Sequence, residues 1–165
     1  MFTRDITVTG SHAARMKFLS EKTKELEHDN ANVAGVFKRF ADVYLVAPII
    51  GVVLGRKSER NNENSVTAQV KADVVNQEQL NLKFIYRTVM LVDNSRRLTA
   101  DEKLVCAFKE EGKDENMEIF DSYVRGGIDW MYEQFTDGAS RHEEYINRIY
   151  EIVQNFFEDY CGAGG

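Results

Sequence analysis

The longest apolar run of the chain extends from Val43 to Leu54 and contains the single proline of the sequence, Pro48. At about 12 residues the run is too short for a membrane-spanning helix, which needs roughly 20 apolar residues. It therefore predicts a buried helix. Proline removes a backbone donor and clashes with the preceding turn, so we expect this helix to kink or break at Pro48.

Most of the remaining chain also shows helical spacing of its apolar residues. Helices are expected from Ser11 to about Leu26, from about Val33 into the apolar run, and over four later segments (77–92, 99–108, 113–135 and 140–160). Two segments, 2–9 and 65–75, alternate apolar and polar residues and could pair as strands, although 65–75 could also begin the next helix. The 165 residues thus predict one mainly α domain, a bundle of about six helices with at most a small two-stranded β element and a frayed tail at 161–165.

Several local signals mark the predicted helix ends. Thr99 with Glu102 and Ser140 with Glu143 form capping-box patterns. In the segment 99–108, Leu104, Val105 and Phe108 are expected to point inward. The polar segment 56–65, "RKSERNNENS", is expected to be an exposed loop.

The segment "GVVLGRKS" resembles a phosphate-binding P-loop at first sight. A P-loop has four residues between its glycines and a lysine directly after the second one. Here three residues separate Gly51 from Gly55, and Arg56 precedes Lys57. Gly55 is better explained as the residue that ends the apolar helix, where basic residues favour the negative end of the helix dipole.

Basic residues cluster near this helix end and in two other segments. They are candidates for contacts with phosphate or with an acidic protein partner. The alternative is a solvated loop whose charges serve solubility and helix capping. The candidates are Lys38, Arg39, Arg56, Lys57, Arg60, Arg96 and Arg97.

A double glycine, Gly126–Gly127, interrupts the helical pattern of residues 113–135. Each glycine costs a helix about 1 kcal/mol relative to alanine, so a kink, a tight helix crossing or a close partner contact should compensate. Tyr, Arg and Trp are enriched at protein interfaces. The functional interpretation makes Tyr123, Arg125, Gly126, Gly127 and Trp130 an interface for a protein partner, whereas the structural one makes them core.

The sequence offers little for metal or nucleophilic chemistry. "HEEYI" lacks the second histidine of H-E-x-x-H, the three histidines lie far apart, and Cys106 and Cys161 have no C-x-x-C partner. Cys106 lies on an apolar stripe and is expected to be a buried thiol. We predict no catalytic residue, no metal site and no cofactor.

Charge is unevenly distributed. Residues 101–165 carry six Lys and Arg against sixteen Asp and Glu, whereas residues 1–60 carry ten against seven. The acidic part disfavours wrapping around nucleic acid, although the basic part could still contact phosphate weakly. With two cysteines and no apolar signal segment, we expect a cytoplasmic protein without a membrane association.

Two segments together resemble a known family. "FKRFADVYLVAPIIGVVLGRKSE" reads as an aromatic-rich helix that ends in a glycine and basic residues, and "DENMEIFDSYVRGGIDWMYEQF" as a helix with glutamate and asparagine that reaches a Gly-Gly pair. This pattern resembles small accessory proteins encoded beside bacterial DNA phosphorothioation and restriction systems. The resemblance implies a prokaryotic, cytosolic protein in a phage-defence setting. It carries no catalytic motif.

Three functions follow as hypotheses. The first is a non-enzymatic accessory protein that binds a protein partner, with nucleic acid as a weaker ligand. The second is a self-associating structural module. The third is a metal-assisted hydrolase that uses the acidic C-terminal helices, for which divalent-metal binding would be required.

Overall fold

The computed structural model describes residues 1–20, 36–61, 64–136 and 142–160. Within these ranges a two-stranded sheet and seven α-helices follow one another, which confirms the predicted mainly α architecture with a small β element. In chain order the elements are β1 (Ile6–Thr9), α1 (Gly10–Ser20), α2 (Phe40–Val53), β2 (Thr67–Val70), α3 (Ala72–Gln77), α4 (Gln79–Val92), α5 (Ala100–Leu104), a π-helical turn (Val105–Lys109), α6 (Asp114–Thr136) and α7 (His142–Tyr160).

The apolar helix α2 packs along α6 at the centre of the bundle. Tyr44 of α2 and Phe120 of α6 meet with their ring centroids 6.0 Å apart, and Phe2 and Tyr86 join the same aromatic cluster. Edge-to-face aromatic pairs of this kind stabilise a core beyond the area they bury. The opposite side of α2 reaches the surface through Val46, Ile49 and Val53. α2 also continues through Pro48 to Val53, so proline does not end the helix.

Two glycines allow the backbones of α2 and α6 to come into direct contact. A Cβ atom added to Gly127 would lie 2.6 Å from the carbonyl carbon of Ala47, and one added to Gly51 would lie 2.9 Å from that of Tyr123. Both obstacles are backbone atoms, which cannot rotate away. Of the three explanations for the double glycine, the structure therefore supports a tight helix crossing, and α6 runs through the pair as one helix.

The small sheet joins the two segments that showed alternation. β1 and β2 pair antiparallel, with Ile6 opposite Val70 and Thr9 opposite Thr67. The segment 65–75 was predicted to be either a strand or the start of a helix, and it contains both, because β2 ends at Val70 and α3 begins at Ala72. The alternating residues Ala68 and Val70 point into the core.

The prediction that Leu104 and Phe108 point inward is wrong. Their side chains are 47% and 51% exposed, whereas Cys106 and Ala107 between them are buried. For Phe108 the reason is the π-helical turn after α5, in which the Glu110 amide donates to the Val105 carbonyl, whereas Leu104 precedes this turn. A π-turn contains more residues than an α-turn, so it rotates the following side chains away from the face that the α-helical spacing predicts.

The predicted helix ends agree in part with the structure. Gly55 follows α2 with a φ of 62°, a conformation that favours glycine, and Thr99 forms a complete capping box with Glu102. The Ser140 capping box lies outside the described residues, as does the segment 21–35, which contains the predicted end of the first helix. No helix among the described residues is long and apolar enough to cross a membrane.

Candidate functional site

The loop after α2, residues 54–61, lies against α6. The Ser58 amide donates to the Ser122 carbonyl at 3.0 Å, and Arg125 Nε donates to the Ser58 carbonyl at 2.8 Å. A Cβ atom on Gly126 would lie 2.6 Å from the carbonyl carbon of Arg56, so this glycine makes room for the loop backbone. The expected exposed loop is therefore only half-exposed at residues 56–58, where hydrogen bonds to α6 hold the backbone of Ser58.

Asp129 joins three parts of the chain. Its Oδ1 accepts from Arg15 and lies 3.3 Å from His12 Nε2, while its Oδ2 accepts from Ser58 Oγ at 2.5 Å. Burial alone would raise its pKa, but the bonds from His12, Ser58 and Arg15 together lower the pKa of Asp129 to about 2. An ionised carboxylate thus connects α1, the loop and α6.

The order of groups in this Asp129 cluster distinguishes it from a catalytic triad. In a triad, histidine lies between serine and aspartate and takes the serine proton. Here the carboxylate lies between Ser58 and His12, so His12 cannot activate Ser58. His12 is 3% exposed, and its Nδ1 has no hydrogen-bond partner among the described residues. The geometry is that of a structural anchor.

A second buried carboxylate, Asp93, follows α4. It accepts from the amide and hydroxyl of Ser95, from Tyr123 Oη at 2.7 Å and from Arg96 Nε at 2.9 Å, and Lys57 Nζ lies 3.8 Å away. Burial opposes ionisation, but these donors lower the pKa of Asp93 to about 2. The cluster connects the end of α4 to α6 and to the loop after α2.

The structure divides the seven basic candidates into two groups. Five form ion pairs with carboxylates of the same chain, and Lys38 and Arg97 are exposed with no partner among the described residues. The pairs are Arg39 with Asp42 and Glu78, Arg56 with Glu133, Lys57 with Asp93, Arg60 with Glu118, and Arg96 with Asp93. Phosphate binding by these residues stays a prediction, and for the paired ones it would compete with internal carboxylates.

The predicted interface residues of α6 lie mostly inside the protein. Tyr123, Arg125, Gly126 and Gly127 are buried against α2, the loop and Asp93. Trp130 is half-buried and meets Phe156 of α7, with the ring centroids 6.2 Å apart. The structure thus brings the five residues together along α6. Their role toward a second protein stays a prediction.

A small cavity of about 120 Å³ lies among β1, α2 and α6, and His12, Arg60 and Asp121 contribute to its lining. Tyr44 Oη donates to Asp121 at 2.8 Å, but burial raises the pKa of Asp121 above its ordinary value. Among the described residues, no group of three or more His, Cys, Asp or Glu side chains is arranged to hold a metal ion.

Asp121 should respond to substitution in the opposite way to Asp93 and Asp129. Because its folded pKa is raised, ionisation of Asp121 destabilises the fold as pH rises. We expect Asp121→Asn, which keeps an acceptor for Tyr44, to retain or increase the free energy of unfolding at pH 7. Urea unfolding measures this. A marked loss at pH 7 would contradict the predicted direction of the pKa.

Several large apolar side chains lie on the surface, which the sequence did not predict. Leu80 and Phe84, one turn apart on α4, are 81% and 71% exposed. Phe108 lies at the end of the same stripe, where Arg87, three residues after Phe84, stacks on its ring at 5.0 Å. We call Leu80, Phe84 and Phe108 the α4 surface. The helical spacing of Leu80 and Phe84 gave no sign of it, since apolar residues at such spacing usually face a core.

Comparison with known proteins identifies a family. A model of the family described as DNA sulphur modification system-associated protein 4 matches residues 15–160. The chain belongs to this family. The match confirms the resemblance to accessory proteins of DNA phosphorothioation systems, since it includes both segments that carry the resemblance. No curated protein and no solved structure matches the chain.

The family match also covers most of the features described above. It begins at Arg15, so it includes Ser58, Asp93, Asp129 and the whole α4 surface, while His12 lies outside it. As a member of the DNA sulphur modification system-associated protein 4 family, the protein is associated with DNA sulphur modification systems. The family description names a system and assigns no reaction.

Proposed function

We propose that this protein is a non-enzymatic accessory subunit that binds a protein component of a DNA sulphur modification system through the α4 surface. The observation that carries the proposal is the exposure of Leu80, Phe84 and Phe108. Monomeric proteins rarely leave several large apolar side chains together in water, and such patches mark interaction sites. The family description supports the setting, a DNA sulphur modification system, and within the proposal the protein works beside the DNA in the cytoplasm.

The electrostatics favour protein over DNA as the ligand. Binding to DNA requires basic side chains that can exchange counterions for phosphate contacts. Five of the seven basic candidates already pair with internal carboxylates, and the net charge of the chain is −6. Of the seven candidates, Lys38 and Arg97 have no ion-pair partner among the described residues, and two phosphate contacts give weak, salt-sensitive binding.

A capture experiment tests this function. The tagged protein is co-expressed with the protein components of the modification system from the same host and purified with nuclease treatment. We expect one component to be retained by the original protein. Leu80→Ser with Phe84→Ser should reduce its retention at least tenfold, because two central apolar contacts are lost.

Two further variants make the result specific. Val46→Ser with Ile49→Ser replaces exposed apolar residues of α2 and should leave retention unchanged. Lys38→Glu with Arg97→Glu should also leave nuclease-resistant retention unchanged, since it replaces the two basic candidates that have no ion-pair partner among the described residues. If no component is retained, or if nuclease releases it from the original protein, the accessory-subunit proposal is wrong. A mass measurement that shows dimers which dissociate in Leu80→Ser with Phe84→Ser would instead support the self-associating module.

A further inference from the structure

A second apolar surface lies on α7, at the other end of the chain. Tyr150, Val153 and Phe157 are 70%, 63% and 62% exposed. Their spacing of three and four residues places them on one stripe of the helix. We call these three residues the α7 surface.

The α7 surface is continuous with the face by which α7 is attached to the protein. Ile149, Ile152 and Phe156 pack toward the core, with Phe156 against Trp130 of α6, and Arg148 Nε donates to the Gln134 carbonyl at 3.2 Å. At 3.6 residues per turn, the two sets of three form one apolar arc about 160° wide. α6 covers one side of this arc. The other side, which holds the α7 surface, is exposed.

Charge indicates what kind of helix fits there. Glu158 and Glu151 are exposed on the polar face of α7, and Gln154, which donates to Glu158, lies between them and the α7 surface. Glu151 also lies 3.6 Å from Arg148, whereas Glu158 has no ion-pair partner among the described residues. Between residues 142 and 160 the sequence has five acidic residues and one arginine. A partner with basic residues at its rim would complement this field, whereas a second copy of α7 would bring like charges together.

We propose that the α7 surface binds a basic amphipathic helix of a partner protein. The apolar residues of that helix would cover Tyr150, Val153 and Phe157, and its basic rim would pair with the glutamates of α7. This mode is the insertion of a helix into an apolar groove. It uses none of the α4 surface residues, so the two proposals can fail independently.

A pair of designed peptides tests the proposal on the full chain. Both are 18-residue helices with the same apolar stripe of leucines, and their polar positions carry lysine in one and glutamate in the other. Binding of each fluorescent peptide is measured by anisotropy. We expect micromolar binding of the leucine–lysine peptide and at least tenfold weaker binding of the leucine–glutamate peptide.

Variants locate the binding. Val153→Ser with Phe157→Ser should weaken binding of the leucine–lysine peptide at least tenfold, and Leu80→Ser with Phe84→Ser should leave it unchanged. Glu151→Lys with Glu158→Lys should reverse the preference in favour of the leucine–glutamate peptide. All four substituted positions on α7 are exposed, and unchanged circular dichroism confirms that each variant is folded.

Three outcomes would overturn the proposal. Equal binding of the leucine–lysine peptide to Val153→Ser with Phe157→Ser would show that it binds elsewhere through charge alone. Equal binding of both peptides to the original protein would remove the basic requirement. A dimer in light scattering that dissociates in Val153→Ser with Phe157→Ser would show that a second copy occupies the surface. None of these results bears on retention through the α4 surface.

Discussion

Replacing Gly127 with alanine is expected to lower the free energy of unfolding by about 3 kcal/mol, the upper part of the usual range for overpacked cores. The added Cβ atom would lie 2.6 Å from the carbonyl carbon of Ala47 and 2.8 Å from its Cα. Since these are backbone atoms of α2, the two central helices would have to move apart. Urea unfolding and the melting temperature measure the loss. The figure of about 3 kcal/mol is a net value that already includes the gain of about 1 kcal/mol in helix propensity.

Two variants test this explanation of the glycine. Gly55→Asn changes a glycine that has open space around it, and asparagine tolerates the positive φ, so stability should change little. Ala47→Gly combined with Gly127→Ala should remain destabilised, because the obstacle is the backbone and not the Ala47 side chain. Full recovery in this double variant would show that side-chain packing, and not helix separation, limits the site.

The second large effect is expected at Asp93. Asp93→Ala should lower the free energy of unfolding at pH 7 by about 3 kcal/mol, the cost of removing one partner of a buried ion pair. The side chain is fully buried, and its loss leaves Arg96 Nε and the hydroxyl groups of Ser95 and Tyr123 without this acceptor. Asp159→Ala, at an exposed carboxylate, should change stability by less than about 0.5 kcal/mol.

The same carboxylate should make the protein sensitive to acid. Its pKa is about 2 in the folded protein against an ordinary 3.8, so folding favours the ionised form. Ionised Asp93 therefore adds about 2 kcal/mol to the free energy of unfolding. This contribution is fully present above the pKa of the unfolded chain and is lost as pH falls from about 4 toward 2. Asp129 contributes with the same sign, since its pKa is also about 2, and Asp121 with the opposite sign.

Urea unfolding between pH 7 and pH 2 checks this expectation. The original protein should lose stability more steeply below pH 4 than Asp93→Asn, which cannot gain the proton. Parallel curves for the two proteins would mean that the Asp93 pKa is not lowered in the folded state. The Asp93→Asn side chain still accepts from Ser95 and Tyr123, so this variant should remain folded for the comparison.

The two apolar surfaces give the proposed accessory function a specific form. The α4 surface includes Phe108 of the π-helical turn, and π-turns occur frequently at functional sites. The α7 surface lies on a helix attached to the rest through one side of its apolar arc. A subunit with two such surfaces could bridge two components of a modification system. The two capture and peptide experiments separate these roles.

Local patterns in the sequence determined much of the architecture. The glycine after Leu54 and the Thr99 capping box set helix ends, because they act on backbone groups within one turn. The alternating segments around Val8 and Ala68 formed the predicted strand pair, since one face of each is apolar. The double glycine indicated a kink or a close contact, but the sequence did not show which elements would be in contact. All of these signals depend on neighbours within a few residues.

Only the tertiary structure decided where the charges and the large apolar residues lie. Arg15 and Asp129 are 114 positions apart, and nothing local in the sequence shows that they pair. The sequence predicted that the basic residues could contact phosphate, but most of these candidates pair with carboxylates of the same chain. It also predicted that Phe108 is buried, but the π-turn directs this side chain outward. The physical reason is that ion pairs and surface exposure depend on which elements meet in space. The spacing along one element specifies a face, but the packing of the others decides whether that face is covered.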